Sequence, residues 1–313
     1  MPSACLIEKG FSVKPKHQGG YVSAHAELCE RTLVTLLRAL GPWKTCMYLI
    51  GGLVPRYLIT PPSDAATPPH AGTTDVDIVL DLSLLASIRA YRTLEQNLKR
   101  LDFMRGINEE GRAQHHSWRK PIDDVVTIVV DLLCDTGMEH DARIVKLPSE
   151  RQLSALQIPG AHLAIADHVD VPLTAALLDD RGVVTETIRV ANIVPFIVLK
   201  ALAFQDRLEE KDAYDLVYCL RYYLAGPASV AAAFAHAMET VPNETLFREA
   251  VEILRQHFST DGHIPGYRKD GPTHYARFHA DPGRSDLDAR NRRDAAATVD
   301  AFLRHLSLLR AEF

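Results

Sequence analysis

Three aspartates fall on segments whose other residues belong inside a protein, and this limits what the 313-residue chain can fold into. The run from Asp75 to Asp81 sets acids at 75, 77 and 81 against Val76, Ile78 and Leu80, which predicts a strand with Asp75 and Asp77 on one face. Val125 to Leu133 is a β-branched run typical of a buried strand, with Asp131 near its end. Gathering like charges on strands is costly unless a cation sits among them, and hard divalent ions with oxygen ligands are the usual solution. Mg²⁺ is the natural candidate. Two such ions could activate an attacking hydroxyl and steady a pyrophosphate leaving group.

The remaining pattern mixes helices and strands. Residues 25 to 40 predict an amphipathic helix stopped by Gly41 and Pro42. Met47 to Ile50 predicts a short strand, Gly51 and Gly52 a sharp turn, and Leu53 to Ile59 the start of a helix with Pro55 in its first turn. With no Cβ at 51 and 52, backbone N–H groups at a helix start can approach a triphosphate closely. A Pro-rich loop follows, then a helix over Leu84 to Leu101. Val183 to Val190 is β-prone, and Phe196 to Leu224 gives a long helical pattern bounded by Gly226 and Pro227. Ala228 to Met238, Leu246 to Phe258 and Ala289 to Leu309 predict helices, and Ser259 to Arg284, rich in Gly, Pro and His, predicts a loop. The order is α/β (α+β), with a boundary near residue 190.

Composition narrows the classes. At 47% hydrophobic and 24% charged residues, the chain is neither disordered nor a disulfide framework. The most apolar run, Ile193 to Phe204, is broken by Lys200, so no membrane span is expected. The N-terminus has no signal-peptide pattern, which predicts a cytoplasmic location. Five dispersed cysteines without a CxxC pair give no zinc or redox motif. With 35 basic against 40 acidic residues, net charge −5 argues against coating nucleic acid by bulk electrostatics. Arg89 to Lys120 carries eight Lys or Arg against four acids, which reads as solvated helix faces and loops as readily as a local basic patch. The GxxxxGK[ST], GxGxxG and HExxH motifs are absent, and His115, His116, His140, His162 and His168 show no ligand spacing.

The segments YLIGGLVPRYLI and TTDVDIVL, followed by VTIVVDLL, resemble the nucleotidyltransferase superfamily: a glycine turn, a DxD strand and a third acid on a later strand. Downstream, IVLKALAFQDRLEEKDAYDLVYCL resembles the helix of AbiEii-like toxins of type IV toxin–antitoxin systems, with Lys200, Arg207, Asp212 and Asp215 at the matching positions. Offsets of seven from Lys200 to Arg207 and of four each to Lys211 and Asp215 predict one shared helix face.

The resemblance covers about residues 45 to 220. It implies a nucleotidyltransferase-like mixed β-sheet with flanking helices over 1–190, and a helical domain over 191–313 that contributes nucleotide-binding residues. It further implies that Asp75, Asp77 and Asp131 hold Mg²⁺, with Asp131 also helping to deprotonate the attacking hydroxyl. Gly51 and Gly52 would hold the phosphates of an NTP, and Lys200 and Arg207 would stabilise departing pyrophosphate, with Asp215 orienting either cation. Thr74, Asp212 and Asp215 would complete the nucleotide site. Arg56 reads either as a further phosphate contact or as a structural ion pair. The implied acceptor is the tRNA 3′ end, with a cognate antitoxin as partner. A small-molecule or protein acceptor, or an inactive nucleotide-binding module, stands as the alternative. Two features depart from the pattern. Gly52 and Asp75 are 23 residues apart, with the excess in the Pro-rich loop, and Leu53 stands where many relatives carry a hydroxyl, leaving Thr73 or Thr74 to supply one.

Overall fold

Short strand-forming runs in this chain join into one mixed sheet. The computed structural model describes residues 15–59, 67–82, 88–107, 111–122, 127–135, 144–146, 153–178, 180–241, 245–280 and 285–311. The expected helix start at 84–87, the strand start at 125–126, part of the Pro-rich loop, Cys5 and residues 281–284 lie outside these.

Among the described residues the strands are β1 (Met47–Ile50), β2 (Asp75–Leu80), β3 (Met104–Ile107), β4 (Ala113–Pro121), β5 (Thr127–Cys134), β6 (Ile144–Lys146), β7 (Ser154–Gln157), β8 (His168–Ala176) and β9 (Val183–Ala191). Their order is β3-β4-β5-β2-β1-β9-β8, with β7 beside the end of β5 and β6 beside β7. The pairs β2/β5, β1/β9 and β5/β7 are parallel, and the others antiparallel.

Side-chain alternation gives the two faces of this sheet different jobs. Met47, Leu49, Val76, Ile78, Leu80, Ile128, Val130 and Leu132 belong to the main core, together with the apolar side of α1 (Ser23–Leu40), whose Leu33, Leu36, Leu37 and Leu40 are buried. On the opposite face Tyr48, Ile50, Val79 and Leu133 form a smaller cluster with Ala161 and Ala164 of α4 (Ala161–Ala166). Asp75 and Asp77 share that second face, since they alternate with Val76 and Ile78. One face is packed, and the other is left open enough for a cleft.

From Asn192 onward the regular elements among the described residues are all helices. Asn192 Oδ1 accepts the Ile193 N–H at 2.8 Å and starts α5 (Ile193–Arg207). The remaining helices are α6 (Glu210–Tyr222), α7 (Pro227–Thr240), α8 (Thr245–Phe258), α9 (Asp270–Phe278) and α10 (Ser285–Leu309); α2 (Pro55–Leu58) and α3 (Ile88–Arg100) lie earlier. The core does not stop at residue 190: one cluster runs from Leu33 through Val190 and Phe196 to Phe302 and Leu306. The N-terminal segment also reaches α9. His17 Nδ1 donates to the Arg277 carbonyl at 3.0 Å, His279 Nδ1 to Gln18 Oε1 at 2.7 Å, and the Tyr21 and Phe278 rings lie 5.8 Å apart.

Four sequence expectations change. The single helix over Phe196 to Leu224 is two helices, because Leu208 adopts the left-handed φ of +50° and turns the chain between α5 and α6. The segment from Ser259 to Arg284 is not all loop: it holds a 3₁₀ turn at Gly266–Arg268 and the whole of α9, where Pro272 suits the first turn and Gly271 lies flat against the Phe258 ring. The glycine turn leads into a 3₁₀ turn at Gly51–Leu53 and then only the four residues of α2, so no long helix dipole points at the cleft. Finally, the basic stretch over 89 to 120 contains α3, β3 and β4. No helix among the described residues is long and apolar enough to cross a membrane, and the four described cysteines are free and buried.

Candidate functional site

The acidic wall is set by strand register. Asp77 lies opposite Ile50 of β1 and opposite Asp131 of β5, with Asp75 two residues earlier on the same face. Gly51, directly after Ile50, has φ +76°, and a Cβ there would collide with Asp77 Oδ2. A glycine is therefore required both by the backbone and by the carboxylate behind it. Gly52 packs on Thr73, whose Oγ1 accepts the Asp75 N–H at 3.1 Å. Thr73 lines the cleft; Thr74 does not, and its hydroxyl turns to Asp75 Oδ1 at 3.4 Å.

The facing wall is a network built across the turn at Leu208. Lys200 Nζ of α5 lies 2.8 Å from Asp212 Oδ1 and 2.7 Å from Asp215 Oδ2, both on α6. Arg207 forks onto Asp212, with Nε at 2.6 Å and Nη2 at 2.9 Å. Lys211 pairs with Asp215 Oδ1, which also accepts from His70 Nε2 at 2.8 Å. These groups do not share one helix face as their spacing suggests. A separation of twelve residues brings Lys200 onto Asp212 only because the chain folds back after Arg207.

Burial by itself would discharge this network; pairing reverses that for Lys200, Arg207, Asp212 and Asp215, while burial still holds the Lys211 pKa below its ordinary value. Desolvation pushes the Lys200 pKa down, but Asp212 and Asp215 outweigh it and hold the ammonium well above its ordinary range. Burial likewise raises the Asp215 pKa, yet Lys200, Lys211 and His70 bring it far below the usual carboxylate range. Asp212 is also held down, by Lys200 and Arg207 against its burial. His70 is pushed to about 4 by burial and by Lys211. It is neutral at pH 7. Its Nδ1 accepts the Gly72 N–H at 3.1 Å, so the assigned tautomer carries the proton on Nε2 and donates it to Asp215.

Together the walls bound a cleft of about 750 Å³. It gathers Gly51, Gly52, Asp75, Asp77, Asp131, Lys200, Arg207, Asp212 and Asp215. Arg56 is not brought in: it pairs with Glu30 at 2.7 Å, the structural ion pair that was one of its two readings. Five Lys or Arg line the cleft (16, 119, 200, 207, 211) against seven acids (75, 77, 131, 209, 210, 212, 215), an excess of two negative charges.

That surplus, carried by hard oxygen donors on one sheet face, suits a divalent cation such as Mg²⁺. Among the described residues no three His, Cys, Asp or Glu side chains stand close enough to form a protein-only metal cage. Mg²⁺ is ordinarily held by one or two carboxylates, water and substrate phosphates, and Asp75, Asp77 and Asp131 offer that kind of partial set.

The sequence pattern misses His70, which sits in the Pro-rich loop with no periodic signal. It also misses Gln114 and Arg119, because β4 is polar along most of its length. Comparison with protein-family models, curated proteins and solved structures finds no match to this chain.

Proposed function

We propose that this protein is a Mg²⁺-dependent nucleotidyltransferase that moves a nucleoside monophosphate from an NTP to an acceptor hydroxyl. The observation that carries the reading is the juxtaposition of Asp77 with Asp131 in register and with the Gly51 turn, across the cleft from Lys200. In the reaction the acceptor oxygen bonds to the α-phosphorus as the bond from that phosphorus to the bridging oxygen breaks; the hydroxyl proton would pass to Asp131, and pyrophosphate leaves with the bridging oxygen. Mg²⁺ held by carboxylates drawn from Asp75, Asp77 and Asp131, with water and substrate phosphate oxygens as its other ligands, would neutralise phosphate charge and acidify the acceptor hydroxyl. Gly51 and Gly52, packed on Asp77 and Thr73 at the edge of the cleft, would offer backbone N–H groups to the phosphates. Lys200, Arg207 and Lys211 supply positive charge where the leaving group develops its own. Asp212 and Asp215 act as positioning residues, since both are fully buried and each holds two of those cations.

The tRNA 3′ end as acceptor, and an AbiEii-like toxin role with a cognate antitoxin, extend this reading on resemblance alone. Incubation with Mg²⁺, each α-labelled NTP in turn and total tRNA tests both levels. Label on RNA in the wild type and not in Asp77→Ala supports an RNA acceptor, and RNA binding should then weaken steeply with salt. Label on protein, or on a small acceptor only, would move the assignment to the alternative. NTP binding with no product would favour an inactive binding module.

A further inference from the structure

A second, smaller pocket opens beside the acidic wall on the side of β4. Its volume is about 140 Å³, and it shares Asp75, Gln114, Arg119 and Asp131 with the large cleft while adding His116 and Ser117. The strand is irregular there. Arg105 of β3 pairs with Trp118 and Gly106 with Gln114, so residues 115–117 form a bulge on β4. A bulge re-aims side chains and is common beside active sites. Gly106 accommodates it, since a Cβ there would press on Ser117 Cβ and Oγ at 3.0 Å.

Two nitrogens in this pocket are buried without a hydrogen-bond partner among the described residues: His116 Nδ1 and Arg119 Nε. Leaving such groups unmade costs stability, and the cost is recovered when a ligand accepts from them. A guanidinium beside an imidazole, Gln114 and Ser117 is a donor-rich set suited to a phosphoryl oxygen. Its position adds a mechanistic constraint. In an in-line displacement the attacking and leaving oxygens lie on opposite sides of the phosphorus. Lys200, Arg207 and Lys211 are distributed along the large cleft only, so the acceptor belongs across the acids, next to β4.

We infer that the β4 pocket is the acceptor subsite, in which Arg119, with His116, binds the phosphoryl group next to the attacking hydroxyl. This rests on the nucleotidyl-transfer reading. The phosphoryl can belong to the last linkage of an RNA strand or to a free mononucleotide.

The test uses the full chain as wild type, Arg119→Ala, Arg119→Lys and His116→Ala, each shown to be folded by its melting transition. Three quantities are read: binding of a non-hydrolysable NTP analogue with Mg²⁺, anisotropy of a labelled oligoribonucleotide with a free 3′ hydroxyl, and acceptor KM in the transfer assay. Arg119→Ala should weaken oligonucleotide binding and raise acceptor KM by about 10-fold or more, as expected for a lost charged hydrogen bond. Arg119→Lys should recover part of the loss, and analogue binding should change less than 2-fold (roughly 0.4 kcal/mol). Competition by a free mononucleotide as strong as by unlabelled oligonucleotide assigns the phosphoryl to a small acceptor; weak competition assigns it to RNA. Unchanged acceptor binding in Arg119→Ala, or an equal loss of analogue binding, overturns the subsite. If the wild type binds no NTP analogue, the transfer reading fails by itself, and oligonucleotide or mononucleotide binding still decides the pocket. Binding of neither by the wild type also overturns it.

Discussion

The two walls of the cleft handle buried charge in opposite ways. On α5 and α6, Lys200, Arg207 and Lys211 are matched to Asp212 and Asp215 at hydrogen-bonding distance, and His70 braces the last of these. On the sheet, register sets Asp77 beside Asp131 with Asp75 on the same face, and the basic groups acting on them come from other elements, Arg207 of α5 on Asp77 and His116 of β4 on Asp131. The helical wall is assembled for rigidity and carries its own counter-charge. The strand wall sets three acids on one sheet face, a set of hard oxygen donors of the kind that suits a divalent cation. A substitution should therefore read out mainly in activity on the strand wall, and in stability as well as activity on the helical wall, whose cations the proposed reaction also uses.

The sharpest challenge to this contrast is Asp77→Ala. Transfer should fall by at least about 100-fold, while melting stays within about 3 °C because no packed apolar group is removed. A large drop in melting temperature would show Asp77 to be structural.

Next is Lys200→Met, which strips the partner shared by two buried carboxylates. It should cost about 3–5 kcal/mol in urea unfolding, apart from any effect on transfer. A cost below about 1 kcal/mol would show the helical network to be as dispensable as a surface pair.

His70 links stability to pH. Its pKa is near 4 in the fold and 6.5 as a free side chain, so between those values the unfolded chain binds the proton and the folded chain does not. Stability should fall as pH drops from 6.5 toward 4, by about 3 kcal/mol from this residue. The groups facing it are Lys211, Lys200, Asp215, Tyr214 and Tyr218. His279, also pushed to about 4, contributes over the same window, so His70→Asn should flatten the urea-midpoint slope only in part.

Gly51→Ala should cost about 1–2 kcal/mol for the left-handed backbone, and displacement of Asp77 should lower transfer as well. Smallest of all, Glu252→Ala breaks the exposed pair with Arg255 and should change stability by less than about 0.5 kcal/mol.

Much of the acidic wall is legible in the sequence because strands obey a period of two. Once Asp75 and Asp77 alternate with Val76 and Ile78, their shared face follows, and the apolar run around Asp131 marks a neighbouring strand. The helical wall is legible only as a set of residues. Nothing local announces that Leu208, an ordinary helix former, takes a left-handed φ, so a straight-helix projection puts Lys200 and Asp212 far apart when they are ion-paired. The β4 pocket is the least legible. AQHHSWRKP has no strand-like alternation and Trp118 as its one strong strand former, and its pairing to β5 is decided by tertiary contacts. His70 illustrates the same limit in a loop, where position comes from Tyr214, Tyr218 and Asp215.

The contacts of His17, Gln18 and Tyr21 with α9 bear on how the protein comes into being on the ribosome. The first described residues are anchored by some of the last, across 260 positions between His17 and Arg277. Asp77 emerges long before Lys200, and the floor beneath the N-terminal strap later still. A nascent chain therefore carries Asp77 for more than a hundred residues before Lys200 emerges, and the cleft closes through contacts of high sequence separation. On the proposed transfer to tRNA, such an order of assembly would keep each new copy inactive until α9 has emerged.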